Sequence, residues 1–252
     1  MKRSLKELRN YIIKGTDDDL GSVHDFYFDD ASWKIRYLVV DTGNWLPGRK
    51  VLIPVSALEK ADWETRLFHV NLTARQIEES PEIASDKPVS KQNEIDLHAY
   101  FGWTPYWGTG QALAGPGGMA APPVTALKED AEAKVNPEAE RGDPHLRSCD
   151  EVEGYHISAE DDKIGHVEDF LADDEDWSIL YLHVDTKNWW PGKHVLIAPS
   201  WITGINWAEA LVHVRMTKKE IEESPEYKPG MDIDHRYEEE LYAHYGFPGY
   251  WI

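Results

Sequence analysis

Tyr37–Pro54 reads YLVVDTGNWLPGRKVLIP, and Tyr181–Ala198 reads YLHVDTKNWWPGKHVLIA, 144 positions later and without a gap. Each copy has an apolar strand, a turn rich in Asn, Trp, Pro and Gly, and a second apolar strand. That is the pattern of a β-hairpin. The match extends outward from the hairpin in both directions. Tyr11–Trp107 aligns with Tyr155–Trp251 at the same offset, with roughly two-fifths of the positions identical. A gapless match of this length, with a period far beyond that of solenoid repeats, marks a duplicated domain.

Within each copy the order of elements is legible. Tyr11–Lys14 is a short apolar run. Gly21–Phe28 alternates apolar and polar residues, the mark of a half-buried strand. Asp29–Ser32 is a turn by composition. Trp33–Val40 alternates again, with Trp33, Ile35, Tyr37 and Val39 on one face and Leu38 and Val40 on the other, so part of it is buried on both faces. Thr42–Gly48 is the turn, Val51–Pro54 the return strand, Ser56–Leu58 and Trp63 a corner, and Leu67–Leu72 a further strand. Thr73 and Gln76, and Thr217 and Glu220, have capping-box spacing. Ser80-Pro81 and Ser224-Pro225 stop those helices. Second helices are expected at Lys91–Phe101 and His235–Tyr245, ended by Gly102 and Gly246. Aromatic tails close each copy, at Trp103–Trp107 and Phe247–Trp251, and are expected to clamp the helix to the strands.

The expected division is a first domain at 1–107, a linker at 108–150 and a second domain at 151–252. The linker expectation rests on the Gly-, Ala- and Pro-rich start GTGQALAGPGGMAAPP, which reads as flexible coil. Cys149 falls at its far end. As the sole cysteine it excludes an internal disulfide and a cysteine-based metal site.

The net charge is −20 and is unevenly placed. Residues 1–107 carry 14 basic and 17 acidic groups, and residues 151–252 carry 8 and 22. Such a field repels phosphate backbones, so nucleic-acid binding is not expected. The N-terminus lacks an apolar signal core, and no run of about 18 apolar residues is present, so no membrane insertion is expected. A cytoplasmic location follows as the expectation.

GSVHDFYFDDASWKIRYLVVDTGNWLPGRKVLIP, followed by the Trp63 corner and the helix carrying I-E-E-S-P-E, resembles the PRC-barrel family. The resemblance covers both copies. It implies a mainly β fold of two small antiparallel β-barrels, each with short C-terminal helices. The family includes the cytoplasmic domain of the photosynthetic reaction-centre H subunit, the C-terminal domain of a ribosome-maturation factor, and stand-alone proteins. Neither the membrane helix of the first nor the N-terminal domain of the second is expected here, and the chain resembles the stand-alone class in tandem. A shared barrel does not carry a shared activity.

No catalytic set, Gly-rich phosphate loop or nucleophile elbow is recognisable. No cofactor, metal or catalytic residue is assigned, and an enzyme is not expected. Asp41, Thr42, Asn44 and Trp45 recur as Asp185, Thr186, Asn188 and Trp189. They could bind a small polar ligand, or serve the turn by bonding its backbone; their presence in both copies favours the second reading. Asp17–Asp19 and Asp173–Asp176 lack the alternating carboxylates of a calcium loop. His69, His213 and His183 show no pairing at helical spacing, and read as ordinary strand histidines. His235, Glu239, Tyr242 and His244 are equally weak. The unlike positions beside the shared motif are Leu46 against Trp190, Val39 against His183, and Lys50 against His194. If the copies have divided labour, these carry it.

The expected function is therefore a non-enzymatic interaction or scaffold module with an unidentified protein partner. The two barrels are expected to pair within the chain, and a homo-oligomer is compatible with the same reading. The alternative is a small-ligand-binding or stress-related sensor. The likeness to the H subunit also implies an accessory photosynthetic role.

Overall fold

A computed structural model describes residues 1–81, 91–107, 145–186 and 193–251. The first repeat contains β1 (Lys2–Ser4), α1 (Leu5–Leu8), β2 (Ile12–Lys14), β3 (Asp19–Asp29), β4 (Lys34–Asp41), β5 (Lys50–Pro54), β6 (Leu58–Asp62), β7 (Leu67–Val70), α2 (Ala74–Glu78) and α3 (Lys91–Phe101). The second contains β8 (Leu146–Ser148), α4 (Cys149–Val152), β9 (His156–Ser158), β10 (Lys163–Asp173), β11 (Ile179–Asp185), β12 (His194–Ile197), β13 (Ile202–Asn206), β14 (Leu211–Val214), α5 (Lys218–Glu223) and α6 (His235–Tyr245). The fold is mainly β.

The strands form two seven-stranded sheets of the same order, β5-β4-β3-β2-β7-β6 and β12-β11-β10-β9-β14-β13. The shared order establishes the duplication at the level of the fold. Most pairs are antiparallel, as expected. Among the described residues, β2 pairs with β7 and β9 with β14 in parallel, at the same place in each sheet. The corner expected at Ser56–Leu58 is a single 3-10 turn, Val55–Ala57, leading into strand β6. Trp33 is not a strand residue: it has φ +55 in the turn after β3, and its counterpart Trp177 has φ +60.

The seventh strand of each sheet comes from the other repeat. β1 pairs with β10, with Lys2 opposite Asp173 and Ser4 opposite Leu171. β8 pairs with β3. The lead-ins are thus exchanged. Packing reflects this, because the compact units are not linear. One comprises Met1–Tyr11, Val23–Leu38 and Arg147–Ile252; the other comprises Ile12–Ser22 and Val39–Leu146. Of the expected linker, residues 108–144 lie outside the described residues. Leu146–Val152 are strand and helix, and belong to the fold.

In the first unit the exchange is held by matched contacts. Ser4 Oγ donates to Asp169 Oδ2 at 2.5 Å, and Ser148 Oγ to Asp25 Oδ2 at 2.5 Å. The Lys6 amide donates to Asp169 Oδ1, and the Asp150 amide to Asp25 Oδ1, both at 3.0 Å. Arg3 meets Asp174 at 2.9 Å, and Arg147 meets Asp30 at 3.1 Å. Arg9 holds both oxygens of Glu153, at 3.1 and 2.6 Å. Glu153 is the counterpart of Arg9, 144 positions on. Contact between a position and its own repeat-mate is what a two-fold relation inside the unit requires. Burial raises the pKa values of Asp25 and Asp169, against the pull of these serine and amide donors.

The core of this unit is aromatic and branched. Phe26, Phe28, Phe170 and Tyr181 are fully buried, and the Phe28 and Phe170 rings lie 5.7 Å apart. Each such side chain contributes about 2–3 kcal/mol by leaving water. The aromatic tail clamps α6 as expected. Trp201 packs on Tyr242, Tyr245 and Phe247, and Tyr250 donates to the buried Glu238 at 2.9 Å. Glu238 also accepts from Tyr181 and Lys2, both at 2.8 Å.

The second unit carries the other repeat's turn and helices. Thr73 and Gln76 form the expected capping box on α2. Trp63 meets Phe68 edge-on at 5.7 Å, and Tyr106 donates to the buried Glu94 at 2.9 Å.

Candidate functional site

The turn after β4 is fixed by its own polar groups. Asp41 Oδ1 accepts from the Gly43 amide at 2.8 Å. The buried Thr42 hydroxyl lies 2.7 Å from the Leu46 carbonyl and 2.8 Å from that of Arg49. The Trp45 indole N–H donates to the Leu20 carbonyl at 3.3 Å, yet the side chain remains 39% exposed. Asn44 is exposed beside it. Arg49 reaches back to the end of α2, donating to the Glu78 carbonyl at 2.7 Å and also to the Ser80 carbonyl. A cation there satisfies carbonyls that a helix end leaves open. The structure therefore brings Asp41, Asn44 and Trp45 together in one hydrogen-bonded turn, with Asp41 and Thr42 serving backbone.

Part of the same device recurs after β11. The Thr186 hydroxyl donates to the Lys193 carbonyl at 2.7 Å, and the Lys193 ammonium donates to the Glu222 carbonyl at the end of α5. Asn188 and Trp189 lie outside the described residues. Asp185 is 1% exposed.

A glycine positions each turn against the sheet. Gly21 has φ +134, and a Cβ there would meet the Asp41 carbonyl oxygen at 2.2 Å. Gly165 has φ +64, with the Asp185 carbonyl oxygen at the same distance. Only glycine allows this approach. In the second repeat it draws the start of β10 onto the end of β11.

That approach assembles a group that sequence reading missed. His166 lies opposite Asp185, and Asp185 lies opposite His194, so three adjacent strands present them in one row. Residues directly opposite share a face. The register slips between Val167 and Asp169, which makes Glu168 the extra residue of a bulge. One ligand atom each from His166, Glu168 and Asp185 lies within 4.8 Å of the others. His166 Nε2 is 3.6 Å from Glu168 Oε2, while Lys6 holds Glu168 Oε1 at 2.6 Å. His183 Nε2 lies 3.0 Å from His194 Nδ1, one ring donating and the other accepting.

Two carboxylates this close repel by roughly 3 kcal/mol at an effective dielectric of about 20. Burial pushes Glu168 up, but Lys6 outweighs it and holds the carboxyl below its usual range. Burial first, and then the neighbouring His194, push His183 down to about 4. It is a neutral imidazole at neutral pH. The signal in the sequence is strand spacing, His166-x-Glu168 and His183-x-Asp185, not the helical spacing at which His69, His213 and His183 show no pairing. His69 and His213 are not part of this group.

Cys149 is wholly buried in α4, not in a linker. Burial raises its thiol well above the ordinary value, which leaves it neutral and a poor nucleophile. No helix among the described residues is long and apolar enough to cross a membrane.

The PRC-barrel domain model matches residues 3–76, a segment running from the exchanged lead-in strand into the first turn of α2. A stretch of 75 residues is 29% identical to an uncharacterized protein of Deinococcus radiodurans. That similarity spans 30% of this chain and 27% of the relative. The domain match and the sheet order point the same way: residues 3–76 are similar to a PRC-barrel domain, and the strand order of that repeat recurs in the second.

Proposed function

We propose that the chain is a non-enzymatic interaction module of the cytoplasm that engages a protein partner through the Trp45 turn. One observation carries this reading: Trp45 is exposed on a turn already fixed by hydrogen bonds from Thr42, Gly43 and Trp45 itself. A rigid exposed tryptophan loses little entropy on binding, and such residues dominate interface energies. The inert thiol of Cys149 fits a chain without covalent chemistry. Pairing of the two repeats within the chain is part of the same proposal, supported by the exchange of β1 and β8.

The test is capture from a native lysate by the immobilised full-length protein and by its Trp45→Ala variant. A partner retained by the unmodified chain and lost with the variant supports the reading. Identical captured sets, or none from either, would overturn it. A second reading, a small-ligand sensor, is favoured by the histidine–carboxylate row on β10, β11 and β12.

A further inference from the structure

We propose that His166, Glu168 and Asp185 form a binding site for one divalent transition-metal cation of the zinc type, with His194 as fourth ligand positioned by His183. The site is independent of the Trp45 turn.

The donor set points to this class of ion. Imidazole with carboxylates suits zinc and its first-row neighbours, whereas calcium and magnesium take oxygen ligands only. His166, Glu168 and Asp185 already converge to within 4.8 Å. That spacing needs only small side-chain rotations to surround one ion. The sheet register sets His194 beside Asp185 on the side away from His166. The bond between His183 Nε2 and His194 Nδ1 fixes one nitrogen of His194, leaving Nε2 as the ligand atom. Holding a ligand ring by its other nitrogen is how second partners orient metal-binding histidines. A cation also relieves the repulsion between Glu168 and Asp185. Lys6 holds Glu168 Oε1, and Oε2 is the atom that faces His166. Lys6 therefore orients the carboxylate without occupying its ligand oxygen.

The first repeat is a built-in control. The equivalent positions hold Ser22, His24, Val39, Asp41 and Lys50. One aspartate persists, the two histidines of the pair are replaced by valine and lysine, and His166 becomes serine. An ammonium at position 50 occupies the place of a donor. One ion per chain is expected.

The test uses the full-length, tag-free protein stripped with chelator and titrated with zinc chloride by calorimetry. The expected result is a single saturable site per chain with micromolar or tighter affinity. His166→Gln and Glu168→Gln should each weaken it about tenfold or more, while His24→Gln and Trp45→Ala leave it unchanged. Absence of saturable binding, or equal affinity in His166→Gln, overturns the proposal. A readout that needs no variant is histidine modification by diethylpyrocarbonate, mapped by mass spectrometry. Zinc should protect His166 and His194 but not His24. Equal modification with and without zinc would count against the site.

Discussion

The two repeats share a backbone device and differ in what it carries. In both, a glycine admits the close approach of a strand to an aspartate carbonyl, at Gly21 and Asp41 and at Gly165 and Asp185. In both, a threonine hydroxyl ties the turn and a cation meets the end of the following helix. Each of these residues serves backbone whose place the fold dictates, so glycine, aspartate and threonine are the same in the two copies and the cation changes only from Arg49 to Lys193. Other side chains on the same strands serve no backbone group in this way. There, Ser22, Val39 and Lys50 stand against His166, His183 and His194. The lesson is that shared residues describe the frame, and chemistry belongs where equivalent positions diverge.

The largest expected effect tests the shared frame. Gly165→Ala places a Cβ against the Asp185 carbonyl and should cost about 3 kcal/mol. Gly21→Ala should cost about the same. Each lowers the thermal midpoint by about 10 °C, measured by circular dichroism. A tolerated alanine at either glycine would break the equivalence.

Next come the exchanged lead-ins. Asp25→Ala strands the Ser148 hydroxyl and the Asp150 amide, and Asp169→Ala strands Ser4 and Lys6. Each should cost about 2 kcal/mol in chemical denaturation, since the abandoned donors stay partly buried. A loss confined to one of the two would show that the exchange is not reciprocal.

Trp45→Ala should change stability by less than about 1 kcal/mol, because the side chain is exposed and gives up one long hydrogen bond. A midpoint within a few degrees of the parent checks this. It also separates a lost partner from a lost fold.

The smallest effect is pH-dependent. Burial opposes ionisation of Asp174, but the chain's terminal ammonium and the Arg3 guanidinium outweigh it and hold its carboxyl below the ordinary 3.8. A depressed folded pKa contributes stability that is complete above the unfolded value and is lost as the pH falls through the folded one. Asp174→Asn should therefore lower the midpoint at pH 7, and the deficit should close below about pH 4. A deficit that stays constant on acidification would remove this ion pair from the account.

Much of the fold was legible because its signals are local. The capping boxes at Thr73 and Thr217, the ends of α3 and α6 at Gly102 and Gly246, and the hairpin at Tyr37–Pro54 all depend on neighbours within a few residues. The exchanged strands were not legible. Lys2–Ser4 is three residues long, too short for a period, and its partner lies about 170 positions away. Cys149 was misplaced for the same reason, because its helix follows an equally short strand. The site was half legible. Comparing the copies singled out His183 and His194, but their meeting with His166, Glu168 and Asp185 depends on register and on a bulge in β10. Neither is written in the spacing of a single strand.

The comparison rests most directly on the number of zinc ions held by each chain. Native mass spectrometry of the full-length protein should count one in the unmodified chain. It should count none after His183→Val and His194→Lys, which give the second repeat the residues of the first at those two positions and set an ammonium in place of the fourth ligand. Two ions in the unmodified chain, or one retained by the double variant, would contradict the account.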